Sequence, residues 1–258
     1  MRGNIMGATR ASAIGLCGLA LAGILFGTSA PARADFIGSV SIGFTSGSDS
    51  GNYQIDLPQH LDYYQWALSA PVQIYSESDP GLLLATIHAF GVELDGDPGV
   101  SLGFFVTAGA APTQMTITSS TVTFDPIFNP LAFATAAITV TDLNGNGASA
   151  SGLFPGTAAY QAVYNGSTVF ANLVSPVMAG ADSSATGSER FPALGMTTIV
   201  GAVSSIQSQF DFMLSAFDSA SGTSRFFVTP EPTGLALAGL GFVGAALFGV
   251  RCRRARRA

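Results

Sequence analysis

Between residues 35 and 229 apolar side chains recur at every second position in short runs, and this period constrains the fold more than any other feature of the chain. "QMTITSSTVTF" (114–124) sets Met115, Ile117, Val122 and Phe124 among threonines. "AAITVTD" (136–142) does the same with Ile138 and Val140, and "SQFDFMLSAFD" (208–218) with Phe210, Phe212, Leu214 and Ala216. Successive side chains on a strand point to opposite faces, so such runs are half-buried strands. They are rich in Val, Ile, Thr and Phe, which suit a pleated surface. No segment keeps a helical period with caps at both ends. In "AYQAVYNGSTVFANLV" (159–174) the Asn165-Gly166 pair predicts a two-residue hairpin turn, because both residues tolerate positive φ. "LPQHLDYYQWALSA" (57–70) reads equally as a short helix or a strand. "TSGSDSGN" (45–52), "ADSSATGSE" (181–189) and "DSASGTS" (218–224) read as surface loops. No repeat of fixed length appears, which argues against a solenoid or propeller. The expectation is one all-β domain over residues 35–229, a β-sandwich of jelly-roll-like type.

The charge of this body narrows its partners. It holds fifteen acids against Arg190 and Arg225, and the chain has no lysine. Such a surface repels nucleic acid and anionic lipid, so no nucleic-acid partner is expected. The two cysteines, Cys17 and Cys252, lie outside the body. The body can therefore form neither a disulfide nor a thiolate metal site, and it has no thiol nucleophile.

Both ends read as addresses. Arg2 and Arg10 precede a 17-residue apolar run (11–27), followed by Ala32-Arg33-Ala34. That is a secretory signal peptide over residues 1–34, with cleavage expected after Ala34. At the other end, residues 233–250 are uncharged and, as a helix, about 27 Å long. That nearly spans the ~30 Å hydrocarbon core of a bilayer. Arg251, Arg253, Arg254, Arg256 and Arg257 follow immediately and form a cytoplasmic stop over 251–258, which leaves the body outside. Pro230-Glu231-Pro232 stands just before the span.

The triplet, the span and the arginine stop together resemble the PEP-CTERM sorting signal, over roughly the last 30 residues. The resemblance implies export in a bacterium with a Gram-negative envelope. It also implies that an exosortase, a transpeptidase-like membrane enzyme, recognises and cuts the tail at residues 230–258. The protein would be held at the inner membrane before processing and would then reach the cell surface or extracellular matrix. The plainer reading is an ordinary C-terminal anchor in which the prolines end a strand.

Few residues in the body point to chemistry. Asp142, Asn144 and Asn146 in "DLNGNG" are candidate calcium ligands, because alternate oxygens before a glycine match the first half of an EF-hand loop. The twelfth position is Leu153 instead of glutamate, so the full motif fails and a hairpin loop is the simpler reading. "ELDGDPG" (93–99) offers Glu93, Asp95 and Asp97, with a solvated turn as the alternative. His60 and His88 stand in no metal-ligand spacing, and no G-x-S-x-G elbow marks a nucleophilic serine. Tyr64 and Trp66 are either a sugar-stacking pair or a core pair on one strand face. The threonine pairs 116/118, 121/123 and 139/141 are ordinary solvent-face strand residues.

These features predict a structural or adhesive, non-catalytic envelope or matrix protein, with no cofactor required. Its partners would be the secretion machinery, the exosortase and extracellular polysaccharide. The alternative is a polysaccharide-binding module or polysaccharide-active enzyme, for which Asp56, Asp62, Glu77, Glu93 and Asp95 are the available acids.

Overall fold

The computed structural model describes residues 35–58 and 62–230. These residues form strands and one short 3-10 turn at Pro155–Thr157. In chain order the strands begin β1 (Asp35–Ile37), β2 (Ser39–Ser46), β3 (Asp49–Asp56), β4 (Tyr63–Ala67), β5 (Val72–Tyr75) and β6 (Leu83–Asp95). They continue with β7 (Gly99–Ala108), β8 (Thr113–Thr118), β9 (Thr121–Phe128), β10 (Leu131–Thr141), β11 (Ala148–Gly152) and β12 (Tyr160–Tyr164). The last are β13 (Thr168–Leu173), β14 (Val177–Ala179), β15 (Ser184–Phe191), β16 (Thr197–Thr198), β17 (Ala202–Leu214) and β18 (Ser219–Thr229).

The strands make two antiparallel sheets. The first runs β1-β9-β17-β8-β2-β3, with β11 and β12 also paired to β17, β14 to β11 and β13 to β12. The second runs β15-β10-β18-β7-β6-β4, with β16 also on β10 and β5 also on β6. An antiparallel sheet can bury one face and wet the other, which is what period-2 alternation encodes. β10 alternates half-buried and buried residues along its whole length.

The sheets pack face to face, as in a sandwich. Phe104 of the second sheet meets Phe210 and Phe212 of the first, with ring centroids 5.1 and 5.7 Å apart. Phe170 of β13 stacks on Phe226 of β18 at 5.2 Å. One apolar cluster joins the inner faces of both sheets. Its main buried polar feature is Tyr160, whose hydroxyl lies 2.9 Å from Ser208 Oγ. Burial pushes that phenol well above its usual range, and the hydrogen bond satisfies a hydroxyl that would otherwise be orphaned.

The predicted all-β sandwich is present, and the structure corrects several local readings. Residues 218–224 are not a loop: from Ser219 onward they are the first half of β18, a central strand. Phe104 lies over the strand at Gly222 and leaves no room there for a side chain. A Cβ on Gly222 would meet the Phe104 ring at 2.5 Å. Residues 184–189 belong to β15, an edge strand whose half-buried positions are the small Ala185 and Gly187, so it shows little apolar alternation. Residues 45–52 are mostly the facing ends of β2 and β3, and only Gly47 and Ser48 lie between the paired Ser46 and Asp49. Asn165 and Gly166 do take positive φ, 48° and 82°. Their loop has three residues, however, closing between Tyr164 and Thr168, and the register shifts at Ala162/Val163. In 57–70 the ambiguity resolves to strand β4, with residues 59–61, including His60, outside the described residues.

Candidate functional site

An open trench crosses the outer face of the second sheet. Its volume is about 680 Å3, and it is lined by three consecutive residues from each of β4, β6, β7, β18, β10 and β15. It therefore runs across the strands rather than along them. A smaller hollow of about 390 Å3 continues it and shares Gly91, Gly103, Ala137 and Thr223. Six strands at ~4.8 Å spacing make the trench about 24 Å long.

Register explains the construction of the trench. Gln65 pairs with Glu93, Glu93 with Ser101, Ser101 with Arg225, Arg225 with Thr135, and Thr135 with Arg190. These six residues form one row over six strands and share a face because they are paired, and that face is the outer one because the residues beside Glu93, Ser101, Thr135 and Arg225 on their strands are buried. The adjacent outward row is Ala67, Gly91, Gly103, Thr223, Ala137 and Ser188. Its residues are small and make the floor. A Cβ on Gly103 would come no nearer to any atom than the Gly222 carbonyl oxygen at 4.0 Å.

The charge along the wall is polarised. Arg190 and Arg225 stand at one end, two strands apart. The Arg190 guanidinium lies over the Phe133 ring at 5.1 Å and donates to the Gly195 carbonyl at 2.6 Å. Arg225 lies over Phe227 at 5.6 Å. Among the described residues neither arginine makes an ion pair with a carboxylate. Glu93 and Gln65 occupy the opposite end, next to exposed Tyr63, whose hydroxyl donates to Gln65 Oε1 at 3.3 Å. Desolvation, and after it the charges of Glu93 and Asp95, raise the Tyr63 phenol above its usual range.

Other sequence candidates fall elsewhere. Asp142 is buried, and its oxygens accept the amides of Asn144 (3.3 Å) and Asp182 (2.6 Å). Desolvation acts to raise its carboxyl, but main-chain amides, Asp182 foremost, hold it below the ordinary range. Asn144 Oδ1 accepts the Asn146 amide at 3.1 Å, and Asn144 Nδ2 donates to the Ala216 carbonyl. These side-chain oxygens organise a turn. Among the described residues no three His, Cys, Asp or Glu side chains converge as metal ligands. Glu93 and Asp95 lie on β6 itself rather than in a loop, and Asp95 accepts the Asp97 amide at 3.0 Å. Of the five acids singled out from the sequence, Glu93 alone lines the trench. His88 is the extra residue of a bulge in β6, stacked on Phe105 at 4.8 Å and 2.9 Å from Thr107 Oγ1. Tyr64 and Trp66 turn inward from β4 and pack half-buried against the core, with Trp66 6.2 Å from Phe90. Thr139 and Thr141 pair with the hydroxyls of Thr186 and Ser184 on β15.

Pro230 is described and exposed at the end of β18. Ala32, Ala34, Glu231, Pro232, the 233–250 span and Arg251, Arg253, Arg254, Arg256 and Arg257 lie outside the described residues. Among the described residues no helix is long and apolar enough to cross a membrane. The pair the sequence reading did not place in a site is Arg190 and Arg225. Their being the only strong bases of an acidic body was the available signal.

No protein-family model matches the chain, and no curated protein matches it. Among solved structures it is similar to a chain of infectious bursal disease virus, Gx strain, with 13% identity and a TM-score of 0.27. That alignment covers 78% of this chain and 58% of the viral one, so this chain spans less than two thirds of its length. A Gt-strain chain of the same virus aligns at 11% identity over 79% of this chain and 67% of its own, with a TM-score of 0.18.

Proposed function

We propose that this is an exported, non-catalytic protein of the cell envelope or extracellular matrix, with a structural or adhesive role. Its jelly-roll-like sandwich presents the outer face of the second sheet as a contact surface. The observation that carries this reading is the trench: a polar-walled, open groove built on paired strands, where binding needs no ordering of loops. Two acids line it, but Glu189 is turned to the Ser175 amide and hydroxyl, which leaves Glu93 as the one carboxylate of the wall row and favours holding a partner over two-carboxylate glycoside hydrolysis. The acidic, cysteine-free body suits a surface exposed to the medium.

Delivery rests on the two ends. The signal peptide over 1–34 directs secretion, and the 233–250 helix with its arginine stop holds the protein at the inner membrane. An exosortase then removes the tail at Pro230-Glu231-Pro232, as the PEP-CTERM resemblance implies. An epitope in the Gly47–Ser48 turn tests this in hosts with and without the exosortase. The expected product is a chain starting at Asp35 and ending near Pro230, found outside the cell only when the exosortase is present. A membrane-bound chain retaining Arg257 in both hosts refutes the sorting step.

A further inference from the structure

We infer that the trench binds an extended, carboxylate-bearing polysaccharide, a polyuronate, with its carboxylates held by Arg190 and Arg225. This rests on the reading of the second sheet's outer face as the contact surface and adds the ligand's chemistry. The first ground is charge. A body with fifteen acids places its two strong bases in one cross-strand row on the wall of this trench. If the arginines served only solubility or general stability, nothing would require them to share a row. Each guanidinium is laid over an aromatic ring, and Arg190 is further tied to Gly195. Among the described residues neither is paired with a carboxylate, so both charges are available to an incoming anion. A planar guanidinium accepts a carboxylate in a two-pronged geometry that an ammonium does not offer.

The second ground is shape and spacing, which separate a glycan from an acidic peptide. A peptide bound to a sheet gains most by pairing its main chain with a free edge. The trench instead runs across the strands, over β10, β18, β7 and β6, which are hydrogen-bonded on both sides, and meets the sheet edges only at its two ends, β15 and β4. It offers hydroxyl and amide side chains, Ser101, Thr135, Ser188, Thr223 and Gln65, at every strand but β6, where Glu93 accepts. That is a partner set for ring hydroxyls. Adjacent strands are ~4.8 Å apart, close to the length of one sugar unit in an extended chain. Arg190 and Arg225, two strands apart, are then set for carboxylates on alternate rings, with Thr135 facing the ring between. Glu93 at the far end disfavours a further carboxylate, so the groove also orients the chain.

The test is fluorescence anisotropy of labelled oligo-uronate with the purified full chain. Two competitors accompany it: the carboxyl-reduced, neutral form of the same oligosaccharide, and poly-glutamate. The charged oligosaccharide is expected to bind at least about tenfold more tightly than its neutral form, and more weakly as salt is raised. Arg225→Gln should weaken binding about tenfold with an unchanged unfolding midpoint, and adding Arg190→Gln about tenfold again. Gly103→Leu, which fills the groove floor and keeps both arginines, should abolish binding. Equal binding of the charged and neutral forms overturns the inference but leaves a glycan-binding face in place. Tighter binding of poly-glutamate overturns it in favour of a peptide partner. Binding that survives Gly103→Leu places the ligand elsewhere and overturns it too. If neither oligosaccharide nor poly-glutamate binds, the inference and the contact-surface reading both fall. Cleavage of the oligosaccharide during the assay refutes the non-catalytic role alone.

Discussion

The two faces of the second sheet are built on opposite rules, although the same strands carry both. On the inner face, at neighbouring positions of β7 and β18, Phe104 lies over Gly222 and reaches Phe210 and Phe212 across the sandwich. On the outer face, one residue away, Gly103 pairs with Thr223 under open space. Gly222 is demanded by packing. Gly103 is not demanded by anything in the fold, and a glycine inside a strand costs about 0.5–1 kcal/mol relative to alanine. One residue type thus serves the core on one face and leaves room for a ligand on the other. Composition alone cannot separate the two roles.

The largest expected effect is on the inner face. Phe104→Ala removes a ring stacked between the sheets and should cost about 3–5 kcal/mol, read by urea unfolding. Gly222→Ala should cost about 1–3 kcal/mol, because its Cβ must displace that ring. A smaller cost would mean the ring can move aside, and the contrast between faces would weaken.

Acid should act at the margin of the sandwich. The Ser175 amide, helped by its hydroxyl and opposed by desolvation, holds the Glu189 carboxyl below its usual range. Its folded-state value is depressed, so its contribution is complete above the ordinary glutamate range. That contribution is lost as pH falls through the lower folded value. Glu189→Gln should therefore flatten the acid limb of the stability profile, and the two proteins should converge at the lowest pH. A wild-type profile already flat there would show that this edge contact contributes nothing.

The smallest effect, of opposite sign, belongs to the outer face. Gly103→Ala should leave stability unchanged or raise it by up to about 1 kcal/mol. A loss of more than that in thermal unfolding would break the comparison, since it would show that Gly103 too is held by packing.

Legibility followed the same division. Strands whose inward residues are large were readable: Met115, Ile117, Val122, Phe124, Phe210, Phe212 and Leu214 are all buried as their alternation required. Strands whose inward positions are small were read as loops, as in 218–224 and 184–189. A small residue at an inward position records the size of its neighbour across the sheet, here Phe104 over Gly222, and that neighbour is more than a hundred residues away. The candidate site was hidden for the same reason. Without β15 and the first half of β18 as strands, Arg190 and Arg225 are two unrelated bases.

By itself, the sequence determined that the body is all β, acidic, free of cysteine and able to bury one face of each strand. Local alternation and charge suffice for those conclusions because each depends on a residue and its near neighbours. Only the tertiary structure decided which strands are central, where β6 bulges at His88, and which outward residues stand side by side. Cross-strand register is a long-range property, and a shift of one residue would turn Arg225 from the trench into the core.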